Sequence, residues 1–232
     1  MKICIAQTRP KGDIEANIVD HINWVNQAAN QNADFIIFSE LSLTGYEPEL
    51  AKDLAIEIGD TRLNGFQEVS DAKDIIICVG APTKANDGTC ISLVIFQPNK
   101  ERSLYSKQYL HEDELPYFVP GPPNSGIIEA KERIALAICY ETAIPQHSQG
   151  AATNKAAIYI SSVAKTVNGA ERTHKRLSAI AKQYAMHVLM CNCVGEFDGN
   201  VGGGQSAVWN EYGELIEVLS EQKEEILVFE SY

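Results

Sequence analysis

The sequence predicts a single α/β domain, and three observations lead to that prediction. Short apolar runs of the kind that form buried strands alternate with helical patterns along the whole chain. The strand runs are apolar almost throughout, which is typical of sheets that are covered by helices. Residues 1–232 contain no linker rich in proline or serine, no low-complexity tract and no short-period repeat. One domain over 1–232 is therefore the simplest account.

The first half of the chain predicts strands and helices in close succession. Apolar residues recur at helical spacing over 13–30, and Asp13 can cap the start of that helix. A second helical pattern, broken near Gly59, covers 49–72. The sequence Asn86-Asp87-Gly88 predicts a tight turn between two strands. Strands are predicted at 2–7, 34–40, 74–80, 90–97 and 102–106.

The second half opens with a loop that is a candidate for function. Residues 107–126 hold four of the nine prolines, which predicts a long ordered loop. One helix is predicted at 170–187 from its apolar face. The glycines at 202–204 predict a tight hairpin and not a phosphate-binding loop, because no Gly-Lys-Ser/Thr follows them. Strands are predicted at 133–140, 156–162, 188–194, 207–210, 215–219 and 226–230.

Composition and charge argue against several classes of function. The net charge of −12 is against nucleic acid or an anionic membrane surface as the main partner, because both attract basic patches. No apolar run is long enough to predict a membrane span. Residues 1–6 have the pattern of a strand and not that of a signal peptide. We therefore expect a cytoplasmic protein.

The six cysteines lie mostly inside apolar runs, which predicts reduced thiols and not a disulfide framework. Cys191 and Cys193 alternate on a strand-like run, so we expect both to face one side. Two core thiols are the favoured interpretation, and a metal-binding pair is the alternative. No second Cys/His pair with zinc spacing appears, and His111, His147 and His174 lack ligand spacing. We expect neither a metal nor an organic cofactor.

Three reactive or charged side chains, Glu40, Lys107 and Cys139, each end a predicted strand run. In open α/β sheets ligands gather at strand ends, so these side chains are candidates for one shared site. Taken singly, each has an ordinary alternative. The glutamate could mark the exit of a strand into water, the lysine could be a surface residue, and the cysteine could be an inert buried thiol.

Together the three residue types supply what acyl transfer needs without histidine. A thiol attacks a carbonyl as its thiolate, and an ordinary thiol pKa leaves little thiolate at neutral pH. A neighbouring ammonium stabilises the thiolate and the oxyanion of a tetrahedral intermediate, with help from a backbone N–H such as that of Tyr140. A neighbouring carboxylate takes the thiol proton and later gives a proton to the leaving amine.

The sequence around these residues resembles the nitrilase, or carbon–nitrogen hydrolase, superfamily. The order and spacing of the matching segments extend over nearly the whole chain. They comprise 38–46 around Glu40, 105–110 around Lys107, Pro120-Gly121, 138–141 around Cys139, 176–195 with Asn192, and 204–213. Each motif is weak by itself, and three of them in order with matching flanks are a strong signal.

The resemblance implies a fold, an activity and roles for residues. The implied fold is a four-layer α-β-β-α sandwich, paired into homodimers or larger homo-oligomers. Glu40 is implied as general base, Lys107 as stabiliser of the oxyanion and Cys139 as nucleophile. The implied substrate is a small molecule with an amide or ureido group, cleaved at a non-peptide carbon–nitrogen bond.

The resemblance also implies a supporting acid in the loop after the lysine. Counting back seven residues from Gly121 gives Glu114, with Glu112 and Asp113 as nearby alternatives. Three further residues, Tyr46, Tyr140 and Glu141, are predicted to bind substrate or the oxyanion.

The chain also departs from the family pattern. Many members carry Asp two places after the cysteine and an arginine beyond it, whereas this chain has Glu141 followed by Thr-Ala-Ile-Pro. The substrate contacts of that arginine are therefore in question. Without a long C-terminal extension, an amidase-like role is favoured over nitrile hydrolysis. Two alternatives remain open: an acyltransferase that uses the same acyl-enzyme, and a catalytically silent scaffold.

Overall fold

Strands and helices alternate along the chain, as the sequence predicts. The structure is a computed structural model that describes residues 1–231. Within that range the strands are Lys2–Gln7 (β1), Phe35–Phe38 (β2), Ile76–Ala85 (β3), Gly88–Phe96 (β4), Ser103–Ser106 (β5), Ile127–Glu129 (β6), Arg133–Ile138 (β7), Ile158–Ser162 (β8), His187–Cys191 (β9), Val194–Phe197 (β10), Asn200–Gly203 (β11), Ala207–Trp209 (β12), Leu215–Val218 (β13) and Glu225–Glu230 (β14). The helices are Ile14–Asn30 (α1), Ala51–Leu54 (α2), Asn64–Lys73 (α3), Pro145–Thr153 (α4) and Val167–Tyr184 (α5). Short 3-10 turns lie at Pro48–Leu50, Thr61–Leu63 and Cys139–Ala143.

The strands form two sheets of six strands and one separate hairpin. Sheet one has the order β14-β1-β2-β3-β4-β5, and sheet two has the order β13-β12-β9-β8-β7-β6. At the centre of each sheet the strands are parallel: β1, β2 and β3 in sheet one, and β7, β8 and β9 in sheet two. The separate hairpin pairs β10 with β11. Both sheets therefore present the carboxyl ends of central parallel strands, where ligands bind in α/β folds.

Alternating side chains of the first sheet divide between two apolar clusters. Ile3 and Ile5 of β1 belong to the cluster between the sheets, whereas Cys4 and Ala6 belong to the cluster under α1 and α3. Apolar residues of α5 such as Leu177 pack against the second sheet. The order of layers is thus helices, sheet one, sheet two, helices, which agrees with the predicted four-layer α-β-β-α sandwich.

The first helix begins where the sequence predicts. The Asp13 carboxylate accepts hydrogen bonds from the backbone N–H groups of Glu15 and Ala16, which have no partner within the helix. Ile18 and Val25 are buried against sheet one. The helix covers the outer face of the strand that leads to Glu40, so it contributes to holding that strand in place.

Contacts across the two sheets join their carboxyl ends. The Ser162 hydroxyl at the end of β8 donates to the carbonyl of Phe38 at the end of β2, at 2.9 Å. The Cys191 thiol at the end of β9 donates to the carbonyl of Ala6 at 3.2 Å. These buried bonds fix the positions of the two strand edges relative to each other, and the residues that follow both edges meet there.

Some predicted elements are wrong in detail. The helical pattern at 49–72 has the break predicted near Gly59, but the break is longer than expected: α2 ends at Leu54 and α3 begins at Asn64, and in between Ile56 pairs with Thr83. Strand β6 and helix α4 were not predicted. The buried face of α4 holds only Ser148 and Ala151, so its apolar pattern is weak.

The predictions for Cys191, Cys193 and the glycine run need correction. Strand β9 ends at Cys191, so Cys193 lies outside the strand and packs in a different apolar cluster. The hairpin turn lies at 198–199, and Gly202 and Gly203 are strand residues. Added side-chain atoms at Gly203 would lie 2.3 Å from the backbone nitrogen of Val167, so close packing explains this glycine.

No helix within residues 1–231 has both the length and the apolar character that crossing a membrane requires.

Candidate active site

Cys139 lies at a strained turn directly after β7. Its φ angle is +46°, a left-handed conformation that side chains other than glycine rarely adopt. Such a conformation costs on the order of 1–3 kcal/mol and persists where the surroundings enforce it. The 3-10 turn that begins at Cys139 thus aims the thiol away from the line of the strand. The side chain is nearly buried, with 5% of its surface exposed.

The carboxylate of Glu141 stabilises this turn. One oxygen accepts from the backbone N–H of Gln108 at 2.7 Å, and the other accepts from the backbone N–H of Ile138 at 2.8 Å. The hydroxyl of Tyr105 donates to the second oxygen at 2.8 Å. The prediction that Glu141 contacts substrate is therefore corrected, because its carboxylate is fully engaged by the protein. It ties the cysteine turn to the segment that follows Lys107.

A buried chain of hydrogen bonds continues behind Glu141. Because the Tyr105 hydroxyl donates its proton to Glu141, its oxygen acts as acceptor toward His147, and His147 Nε2 donates to it at 2.8 Å. His147 Nδ1 then accepts from the Tyr159 hydroxyl at 2.9 Å. Burial lowers the pKa of His147 to about 4, so the ring is neutral at physiological pH. This series of hydrogen bonds fixes one tautomer of His147 and supports the Cys139 turn through Glu141.

Glu141→Gln should weaken both the fold and the nucleophile. An amide NH₂ in place of one carboxylate oxygen would face a backbone N–H, leaving a buried donor without an acceptor. We expect the free energy of unfolding to fall by about 1–3 kcal/mol, measured by urea denaturation. Because the nucleophile is weakened, alkylation of Cys139 by iodoacetamide should also become slower. The exposed Glu112→Gln is the matched control, and equal behaviour of the two variants would contradict this role for Glu141.

Lys107 and two carboxylates form a buried cluster in front of Cys139. The Lys107 ammonium donates to Glu40 Oε1 at 2.8 Å and to Glu114 Oε1 at 2.5 Å. All three side chains are at most 2% exposed. Glu40 Oε2 is buried and has no hydrogen-bond partner within residues 1–231, which leaves it free to accept a proton. The structure thus brings together Glu40, Lys107 and Cys139 from both sheets.

Backbone contacts fix the position of Lys107 itself. Its N–H donates to the carbonyl of Ile91 at 2.8 Å, and its carbonyl accepts from Gly121 at 2.8 Å. A side chain at Gly121 would lie 2.5 Å from the carbonyl oxygen of Ser106, so only glycine allows this close approach.

Among the three acids of the loop, Glu114 is the one that reaches Lys107. Besides the lysine, it accepts from the Tyr46 hydroxyl at 2.9 Å and from the backbone N–H of His111 at 2.8 Å. Glu112 is exposed, and Asp113 is exposed and pairs with the His111 ring. Every described contact of Glu114 suits a residue that orients the ammonium.

Electrostatics at the site link the glutamate and the thiol. Burial raises the pKa of Glu40, and Lys107 partly opposes that rise. Burial also raises the pKa of Cys139, with the charge of Glu40 adding to the effect. Burial acts to lower the pKa of Lys107, but Glu40, Cys139 and Glu114 outweigh it and the net shift is upward. The lysine is therefore a permanent cation, and Glu40 and Cys139 compete for one proton.

An apolar cluster and an acidic cavity lie on either side of Tyr46. Ala164, Cys193 and Phe197 form a small apolar cluster with Tyr46, whose ring lies 6.0 Å from that of Phe197. A cavity of about 260 Å³ is lined by Tyr46, Pro48, Glu49, Asp113, Pro116, Tyr117 and Asp198. Three carboxylates, those of Glu49, Asp113 and Asp198, line this cavity.

Tyr140, which is predicted to bind substrate or the oxyanion, directly follows the nucleophile candidate Cys139. Tyr140 is the second residue of the 3-10 turn, and its ring contacts that of His111 edge-on, with centroids 5.0 Å apart. The first N–H groups of such a turn have no partner within it, so the Tyr140 N–H is a candidate oxyanion donor.

Sequence reasoning missed Lys165, which follows β8. Its charge lowers the pKa of the Cys139 thiol, as does that of Lys107. One signal was available: Ser162 of β8 pairs with Ile138 of β7, so residues just beyond these two strand ends must be neighbours. The sequence itself did not single out Lys165, because no motif marks it and it does not directly end a strand run.

Comparison with known proteins now identifies the family. Residues 2–230 match the sequence model of the family described as carbon–nitrogen hydrolase. The chain belongs to the carbon–nitrogen hydrolase family. The resemblance stated from the motifs is thereby confirmed, and the family match extends over nearly the entire chain.

Two curated relatives illustrate the range of the family. A glutamine-dependent NAD(+) synthetase of Acinetobacter baylyi is 27% identical over 97% of this chain. The chain spans only 43% of the length of that synthetase. An (R)-stereoselective amidase of a Pseudomonas species is 24% identical over 93% of this chain, which covers 80% of that amidase.

A solved structure confirms the fold. The amidase from Nesterenkonia sp. AN1 superposes with a TM-score of 0.89 at 20% identity, covering 100% of this chain and 93% of that chain. Structures of that amidase show acrylamide added at its active-site cysteine and a cysteine variant bound to butyramide. The predicted nitrilase-like class of fold is correct.

Within residues 1–231 no group of three or more His, Cys, Asp or Glu side chains could hold a metal ion.

Proposed function

We propose that this carbon–nitrogen hydrolase cleaves the amide bond of small molecules, with Cys139 as nucleophile, Glu40 as general base and Lys107 as oxyanion stabiliser. The observation that carries the proposal is the buried contact of Lys107 with Glu40 beside the strained Cys139 turn. A carboxylate, an ammonium and a thiol in one enclosed site form a complete acyl-transfer set.

The first half of the reaction forms a thioester. Glu40 takes the thiol proton as the Cys139 sulfur bonds to the amide carbon, and the carbonyl oxygen becomes an oxyanion. Lys107 and the backbone N–H of Tyr140 stabilise that oxyanion. When the tetrahedral intermediate collapses, the carbon–nitrogen bond breaks, and Glu40 returns its proton to the leaving ammonia or amine.

The second half releases the acid. Glu40, again a carboxylate, takes a proton from a water molecule that attacks the thioester carbon. A second tetrahedral intermediate forms at the same oxyanion position and expels the Cys139 thiolate, which regains the proton from Glu40. Glu114 keeps the Lys107 ammonium in position throughout, because it accepts one of its hydrogen bonds.

The surroundings of the site favour a small acyl group without negative charge. The apolar cluster of Ala164, Cys193 and Phe197 suits a short apolar acyl chain. The two buried carboxylates of Glu40 and Glu114 repel a carboxylate on the substrate. Acetamide and butyramide are therefore the first compounds to test. Glutamine, other ω-amides and N-carbamoyl amines complete the panel, and glutamine is included because a relative is a glutamine-dependent enzyme.

The experiment measures ammonia and the acyl product for each compound, with and without hydroxylamine. The proposed hydrolase should release ammonia and carboxylic acid in equal amounts, and hydroxylamine should divert part of the acyl group to a hydroxamate. Product that forms only when an amine is added would identify the alternative, an acyltransferase. Absence of ammonia release from the whole panel would favour a silent scaffold and contradict the proposal.

A further inference from the structure

Lys165 is a second cation at the nucleophile that the proposed mechanism does not use. It lies just beyond the end of β8, whose Ser162 pairs with Ile138, the residue before Cys139, and it is partly buried. Within residues 1–231 no carboxylate lies within ion-pair distance of it, whereas Lys107 has two such partners. Its charge lowers the pKa of the Cys139 thiol. A partly buried ammonium with no carboxylate partner, next to a thiol, calls for a functional explanation, since burial of an uncompensated charge is costly.

The backbone around Lys165 is held in place by a buried asparagine. Asn192 is fully buried, and its side-chain oxygen accepts from the N–H of Lys165 at 2.8 Å. Its NH₂ group donates to the carbonyls of Lys165 and Gly204, at 3.0 Å and 2.7 Å. The N–H of Gly203 donates to the same Lys165 carbonyl at 2.8 Å. The backbone of Lys165 is therefore fixed beside the Cys139 turn, because Ser162 of β8 pairs with Ile138 of β7.

The charges of the buried cluster balance only when Lys165 is counted. At rest two carboxylates, Glu40 and Glu114, face two ammonium groups, Lys107 and Lys165, around a neutral thiol. When Cys139 gives its proton to Glu40, one negative charge moves from carboxylate to sulfur and the sum stays at zero. The oxyanion and thioester stages keep the same sum. Without Lys165 every stage would carry a net negative charge in a buried site, which is strongly unfavourable.

We propose that Lys165 is a catalytic residue whose ammonium pairs with the Cys139 sulfur and stabilises the thiolate. This inference rests on the proposed function, because it assigns the partner of the proposed nucleophile. The bond that forms is an N–H hydrogen bond to the sulfur anion, and the thiol proton goes to Glu40. The other use of such a cation is to bind a carboxylate on the substrate, and the kinetics described below separate the two roles.

Other ionisable groups around Cys139 are the same in every variant proposed below. They are Glu40, Glu114, Lys107, Tyr46 and Cys193. Of these, the two glutamates raise the pKa of Cys139 and Lys107 lowers it together with Lys165. A change that follows removal of Lys165 alone therefore reports its own interaction with the sulfur.

The test is the pH dependence of Cys139 alkylation by iodoacetamide, followed by peptide mass spectrometry. Lys165→Met and Lys165→Gln should each raise the apparent pKa of Cys139 and slow alkylation at neutral pH by about tenfold or more, equivalent to one pKa unit. Lys165→Arg should restore most of the rate because it restores the charge. Lys175→Met, at an exposed position of α5, is the control and should match the unchanged protein. Thermal unfolding of each variant verifies that it is folded.

Kinetics on the accepted amide separate this role from substrate binding. Loss of thiolate stabilisation should lower kcat with little change in KM. An unaltered alkylation profile would overturn the inference, whether KM for carboxylate-bearing amides rises or activity stays unchanged. Because alkylation needs no substrate, this failure is distinct from failure of the proposed function, which retention of ammonia release by Cys139→Ala would reveal.

Discussion

Cys139→Ala should abolish ammonia release from every accepted amide, with a loss of kcat of about 10⁴-fold or more. The effect is the largest that any single substitution in this chain should produce, because no thioester can form without the sulfur. The remaining groups of the site would still bind and polarise the amide, but water would have to attack it directly. Turnover is measured as ammonia over the compounds of the panel.

The matched control for this loss is Cys90→Ala. Cys90 is a buried thiol of β4 and has no contact with Glu40, Lys107 or Cys139 among the described hydrogen bonds and ion pairs. It should retain turnover close to that of the unchanged protein. Undiminished ammonia release by a folded Cys139→Ala protein would remove the nucleophile from the mechanism, and equal losses in both variants would point to general damage of the fold.

Glu40→Gln should reduce kcat by about 10²- to 10⁴-fold, the usual contribution of a general base. The amide is similar in size and still accepts a hydrogen bond from Lys107, but it cannot take the thiol proton or activate water. The loss should affect both formation and hydrolysis of the thioester. Steady-state kinetics measure the overall loss, and the share of acyl product that hydroxylamine captures as hydroxamate reports on hydrolysis of the thioester.

The pH profile gives Glu40 a further signature. The carboxylate form of Glu40 is the base, so kcat/KM should rise with pH as Glu40 loses its proton. Burial raises the pKa of Glu40, so this rise should occur at a higher pH than the ordinary glutamate pKa of about 4.3. Below that limb the proton on Glu40 blocks acceptance of the thiol proton. In Glu40→Gln this limb should disappear. Persistence of the same limb in the variant would assign it to another group and contradict the role of Glu40.

Much of the fold could be predicted because the strands are buried on both faces. A central strand such as β2 is apolar at every position, and the helix α1 that covers it has an unambiguous period and a capping Asp13. The turn at 86–87 was equally clear, since its sequence restricts it to few conformations. By contrast, α4 has a polar sequence and little buried surface, so its pattern hardly differs from that of a loop.

The site was predicted in part because its charged residues terminate apolar runs. Glu40 and Lys107 stand out as charges after buried strands. Lys165, in contrast, is separated from Ser162, the last residue of β8, by Val163 and Ala164, and no partner for it is visible in the sequence. Glu141 misled the prediction because adjacency to the nucleophile suggests substrate contact. Only the three-dimensional contacts reveal that its carboxylate accepts from Ile138 and Gln108. Hydrogen bonds between distant segments cannot be derived from residue types alone.

The central claim is tested most directly by a crystal structure of Cys139→Ala soaked with butyramide. The account predicts that the amide carbon lies beside the methyl group of residue 139, within roughly 4 Å, with its oxygen toward the Lys107 ammonium and its nitrogen toward Glu40. Electron density that places Glu40, Lys107 and residue 139 on separate surfaces, or the amide away from all three, would contradict it.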